Sequence, residues 1–162
     1  MIALGLDVLF CGINPGLYSA ATGNHFARPG NRFWPALHRA GFTRHQFHPS
    51  EKAAFLRSGY GLTNLVPRAT AGADELAAAE FVAGRARLAS KVRRYRPRMV
   101  AFLGMGAYRH AFETPHARLG EQPQRFEGAR VWVLPSPSGL NANYPMGALV
   151  AELRKLRRAV QA

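Results

Sequence analysis

The chain has 162 residues, 48% hydrophobic and 19% charged, which fits one globular domain over residues 1–162 and excludes a disordered chain. A single cysteine, Cys11, excludes a disulfide framework, a four-cysteine iron–sulfur cluster and a cysteine-rich zinc site. Lys and Arg number 22 against nine Asp and Glu, a formal net charge of +13, and such a surplus favours a polyanionic partner, most often nucleic acid. Only Lys52, Lys91 and Lys155 are lysines, so nineteen basic residues are arginines, whose planar fork grips phosphate at two points. A codon bias toward Ala, Gly and Arg would give the same surplus, so charge alone does not separate an enzyme from a passive binder. No apolar run has the length of a membrane span and no basic-then-apolar leader opens the chain. The expectation is a cytoplasmic monomer with no membrane partner.

Leu6 to Ile13 is an apolar run closed by Asn14-Pro15-Gly16, the pattern of a buried strand entering a turn. Residues 14–30 contain Pro15, Gly16, Gly23, Pro29 and Gly30 and read as one long loop, of a length that is usually functional. Asn31 caps a predicted helix through Phe33, Trp34, Leu37 and Ala40, stopped by Gly41. A short helix follows over Pro49 to Arg57, then a second strand over Gly61 to Val66. The longest predicted helix covers 75–96, with Phe81, Leu88, Val92 and Tyr95 on one stripe. Met99 to Gly104 reads as a third strand and Met105 to Phe112 as a helix. Residues 113–129 are turn-rich, with an edge strand expected at Gln124–Glu127. Val131 to Leu134 is a fourth strand, closed by Pro135-Ser136-Pro137-Ser138-Gly139, and Pro145 opens a last helix in which Leu149, Leu153, Leu156 and Val160 recur at helical spacing.

Strands alternating with helices, and strands that are apolar throughout, predict an α/β fold: three layers, α/β/α, around a mostly parallel central sheet of four to five strands. Such sheets bind ligands at the carboxyl ends of their strands. Loops 14–30 and 135–144 both follow strands, so both fall on that rim, and a cleft between them is the leading place for chemistry.

Much catalytic equipment is missing. No His/Cys/Asp/Glu cluster has metal spacing, no Gly-rich phosphate loop ends in Lys-Ser or Lys-Thr, and no Gly-x-Ser-x-Gly elbow is present. No metal and no cofactor are expected. The six histidines are scattered, and Cys11 reads as a buried thiol. Asn14, directly after a buried strand and stiffened by Pro15, is either part of a tight turn or a rigidly presented amide. Leu140, between Gly139 and Asn141, is either part of a stiff surface connection or an apolar group placed to enter a base stack.

Together these segments resemble a known family. Gly12-Ile13-Asn14-Pro15-Gly16-Leu17 and Leu134-Pro135-Ser136-Pro137-Ser138-Gly139-Leu140 are similar to the two motifs of mismatch-specific uracil-DNA glycosylases and their thymine-DNA glycosylase relatives. Asn31-Arg32-Phe33-Trp34 and Gly61-Leu62-Thr63-Asn64-Leu65-Val66 resemble family segments as well, and the likeness runs from about Leu6 to the last helix. The resemblance implies base flipping from double-stranded DNA carrying G·U or related mismatches, with the cost of unpairing lowest at a mispair. It implies that Asn14 holds the attacking water, that Phe26 stacks on the flipped base, and that Ile13, Gly16, Ser19 and Ser136 line the pocket. Ser19 falls near the pyrimidine 5-substituent, which predicts uracil over thymine. Ser138, Gly139, Leu140 and Asn141 are implied as the wedge and the contacts to the orphaned guanine. Family members often carry a basic residue where this chain has Ala142.

Two expectations rest on the residues themselves. Aspartates number two, Asp7 and Asp74; Asp74, just before the longest helix, is either its N-cap or a carboxylate that activates water or stabilises the cationic sugar. The three lysines fall on predicted helices away from both motifs, so no amine is placed to form a Schiff base, and a monofunctional enzyme is expected. Arg28 and Arg32, near the first loop, are the candidates for contact with the DNA backbone. A non-catalytic nucleic-acid binder on the same scaffold is the alternative.

Overall fold

The computed structural model covers residues 1–162. Its sheet has five strands in the order β2-β1-β3-β5-β4. β1 (Val8–Gly12), β2 (Tyr60–Asn64), β3 (Met99–Leu103) and β5 (Arg130–Leu134) run parallel, while the two-residue β4 (Gly120–Glu121) lies antiparallel along β5 at the edge. In register, Val8 sits between Tyr60 and Met99. The helices are α1 (Leu17–Thr22), α2 (Phe33–Arg39), α3 (Lys52–Arg57), α4 (Ala78–Tyr95), α5 (Met105–Phe112) and α6 (Met146–Gln161).

Every residue of β1 is buried, because both faces of the sheet are covered. Val8 and Phe10 face a core built with α2, α3 and α6; Leu9 and Cys11 face a second core built with α4 and α5. Alternate residues of a strand point to opposite faces, so a strand covered twice must be apolar at every position. This is the predicted three-layer α/β/α arrangement. No helix is long and apolar enough to cross a membrane.

The structure departs from the sequence expectation at four places. Residues 14–30 are not all loop: α1 forms between Gly16 and Gly23, whose φ of 71° is the left-handed stop. None of its residues is buried, so it leaves no hydrophobic period to read. The long helix starts at Ala78, because Ala73–Glu75 closes a separate 3-10 turn and Leu76 is extended. The edge strand is at Gly120–Glu121, while Phe126 and Ala129 merely bridge each other across Glu127 and Gly128, both at positive φ, as a two-residue hairpin turn requires. β2 ends at Asn64, although the Leu65 and Val66 amides still donate to the carbonyls of Gly12 and Ile13.

The chain goes from β1 to β2 on one side, then crosses through α4 to β3 on the other. The sheet therefore has its topological switch beside β1, where α/β folds open a crevice.

Candidate active site at the carboxyl rim of the sheet

A cleft of about 550 Å³ lies at that rim. Ile13, Asn14, Gly16, Ser19, Phe26 and Arg28 line it from the chain after β1. Asn64, at the end of β2, and Thr70 to Asp74 beyond it add a second side, and Ser136, Ser138, Leu140 and Asn141 enter after β5. The structure thus brings Asn14 and Leu140 to the same cleft.

Asn14 is held by its donors. Its Nδ2 donates to the Arg68 carbonyl at 2.9 Å and to Thr70 Oγ1 at 2.7 Å. The Thr70 hydroxyl in turn donates to the Gly72 carbonyl at 2.8 Å, so it must accept from Asn14. With both N–H groups engaged, the carbonyl oxygen Oδ1 is the atom left to face a ligand. Thr70 is only 4% exposed. It reaches this position because residues 65–70 run on beside 12–16, with the Thr70 amide donating to the Pro15 carbonyl. Arg68 anchors the same strap through Glu80, at 2.8 and 3.0 Å, and the Glu75 carbonyl. That guanidinium and the Ala77 N–H hold the Glu80 carboxyl down at about 2.

Phe26 adopts a φ of 51°, a conformation that an aromatic residue rarely takes, and its ring stacks on Phe33 with centroids 4.5 Å apart. It packs on the core and lines the cleft at once. β1 ends in Gly12 for a steric reason: a Cβ there would lie 2.8 Å from Asn64 Oδ1 and 3.1 Å from the Phe26 ring. Ser19 Oγ accepts from the Ala27 amide at 3.1 Å. His25 also lines the cleft, and burial, followed by the charges of the amino terminus, Lys52 and Lys91, lowers its imidazole to about 4.

The second loop is shaped by its serines. Ser136 Oγ accepts from the Ser138 amide at 3.3 Å and Ser138 Oγ from the Leu140 amide at 3.2 Å, while Asn141 Nδ2 donates to the Ser136 carbonyl at 3.1 Å. Leu140 at the tip is 73% exposed. Gly139 follows Ser138 with its Cα against the Gly30 carbonyl.

Several side chains stand elsewhere than the sequence suggested. Asp74 is not the N-cap of the long helix: that position is Ala77, whose amide donates to Glu80 at 2.8 Å. Asp74 lies on the 3-10 turn, exposed, lining both this cleft and an adjoining one. Arg28 is exposed at the cleft. Arg32 differs from the expectation of a DNA-backbone contact: its guanidinium turns inward onto carbonyls of the second loop. Lys52, on α3, reaches the first loop beyond the first motif, its Nζ donating to the Gly23 carbonyl at 2.7 Å. Thr70, Asn64 and His25 were not singled out from the sequence. For Asn64 the signal was its place at the end of a strand on the binding rim; for Thr70 and His25 no local signal exists.

The cleft at the sheet's switch point thus holds an amide fixed through both of its N–H groups, an aromatic ring and, at its lip, an exposed leucine. Residues 2–161 match the family model of the uracil DNA glycosylase superfamily, and the chain belongs to that superfamily. It is in general terms a DNA glycosylase, a hydrolase of N-glycosyl bonds with DNA as its partner.

Proposed function

We propose that the protein is a monofunctional, mismatch-specific uracil-DNA glycosylase that flips uracil out of a G·U pair and leaves an abasic site. The observation carrying this reading is the Asn14 amide, whose two N–H groups are both taken by protein acceptors, leaving Oδ1 for a ligand in the cleft that Leu140 also lines. Cleavage of the glycosidic bond builds positive charge on the sugar and negative charge on the base. Asn14 Oδ1 accepts a hydrogen bond from water and so sets its position; an amide is too weak a base to do more. Phe26 offers its ring to the extruded pyrimidine. Asn64, whose amide has no hydrogen-bond partner within the protein, supplies one donor and one acceptor at the cleft, which suits the edge of uracil. Ser19 narrows the space beside the pyrimidine 5-position. Asp74 is the one carboxylate lining the cleft, and it stabilises the cationic sugar or draws a proton from the water. Leu140 fills the vacated stack, and the neighbouring backbone meets the orphaned guanine.

The test is a duplex with a single G·U pair, incubated with the protein and then cleaved by alkali at abasic sites. Strand breaks on G·U, fewer on G·T and A·U, support the reading. Binding without breaks favours a non-catalytic binder, and equal rates on G·U and A·U remove the mismatch preference. Borohydride trapping should give no covalent adduct, although Lys52 approaches the first loop.

A further inference from the structure

Arg32 stands at the start of α2, directly after Asn31, whose Oδ1 accepts from the Phe33 amide at 2.9 Å. Every nitrogen of its guanidinium is engaged, and every partner is a main-chain carbonyl of one loop. Nε donates to Pro137 at 3.4 Å, Nη2 to Ser138 at 2.9 Å and to Asn141 at 3.3 Å, and Nη1 to Tyr144. The Arg32 amide adds a bond to the Pro137 carbonyl at 3.0 Å. No carboxylate competes, so the cation is held by carbonyl dipoles in charge-assisted bonds. The fan-shaped set of donors is a property of arginine; a lysine ammonium is a compact point charge and cannot span these carbonyls.

The remaining hydrogen bonds of residues 136–144 are internal: Ser136 to Ser138 and Asn141, Ser138 to Leu140 and Asn141. They curl the loop without tying it to the body of the protein. At Gly139 the loop also lies close to the first loop, where a Cβ would come within 2.8 Å of the Gly30 carbonyl oxygen. Leu140, exposed as it is, has no burial to fix its position. The next residue after Arg32, Phe33, is the ring on which Phe26 stacks, so both lips of the cleft take their reference from one helix start.

We propose that Arg32 is a positioning residue that holds residues 137–144 in shape before DNA arrives, so that Leu140 is presented rigidly to the base stack. This rests on the base-flipping reading above. A loop ordered in advance loses less freedom on binding than one ordered by its ligand, and the benefit applies only where there is a stack to enter.

The experiment uses the full chain as wild type, Arg32→Ala and Arg32→Lys. On DNA-free protein, amide hydrogen exchange is followed across the molecule. Faster exchange confined to residues 136–144 in both variants is expected; unchanged exchange there overturns the proposal. Single-turnover excision is then compared on a G·U duplex and on a single strand of the same sequence. The duplex-to-single-strand rate ratio should fall about tenfold or more, and Leu140→Ala added to Arg32→Ala should lower it little further, since coupled groups are not additive. A ratio equal to wild type, or independent losses from the two substitutions, overturns it. If Arg32→Ala does not fold, Arg32→Lys reads the same quantities. A wild type that excises uracil from neither substrate refutes the glycosylase reading, while the exchange result still decides the hold of Arg32 on its loop.

Discussion

The Asn14 amide can offer only an acceptor to the cleft, because Thr70 and the Arg68 carbonyl take both of its donors. Thr70→Val keeps the shape and removes one of those partners, freeing the amide to turn. The expected result is a fall of about tenfold or more in the single-turnover rate with little change in DNA affinity, and recovery in Thr70→Ser. Asp74→Ala should lower the rate without weakening DNA binding; unchanged excision would leave the carboxylate with no part in the chemistry. His25 gives a pH dependence whose sign follows from its depressed value. Between about 6.5 and about 4 the unfolded chain takes up a proton that the folded imidazole refuses, so stability falls as pH falls through that window. The loss is on the order of 2 kcal/mol after allowing for partial exposure, and His25→Gln should flatten it in urea unfolding at pH 7 and pH 4.5. Asn14 could be picked out by eye because it directly follows a buried run. Thr70 could not, since its partner lies 56 residues away, and the inward contacts of Arg32 left no local signal because its guanidinium answers to a loop more than 100 residues distant.

At the scale of elements, what could be read depended on burial. β1 and β3 from end to end, and β5 beyond Arg130, are apolar because they are covered twice, and α4 and α6 show one-sided stripes because they are covered once. α1 buries nothing and β4 has two residues, so neither left a pattern. The packing of β1 carries two predictions. Phe10 is fully buried among Phe33, Phe42, Phe55 and Tyr60, and Phe10→Ala should cost about 3–5 kcal/mol in chemical denaturation. Cys11 faces the opposite core, where burial pushes its thiol up to about 12. It should resist thiol reagents at pH 8 in the native protein and react only on unfolding.

For the whole molecule, the charge of +13 overstates the grip on DNA. Arg68, Arg98 and Arg130 are paired with Glu80, Asp7 and Glu121, and Arg32 is turned onto carbonyls of the second loop. The salt dependence of duplex binding should therefore be much shallower than thirteen phosphate contacts would give. Arg28→Ala should reduce that slope by about one, as measured by titration across salt concentrations. β4 is so short that an incoming chain would find almost no ladder to extend, and its Glu121 is tied to Arg130 at 2.7 Å. Charge and brevity are how natural sheets discourage edge-to-edge growth, so this border blunts self-templated stacking when the protein is concentrated.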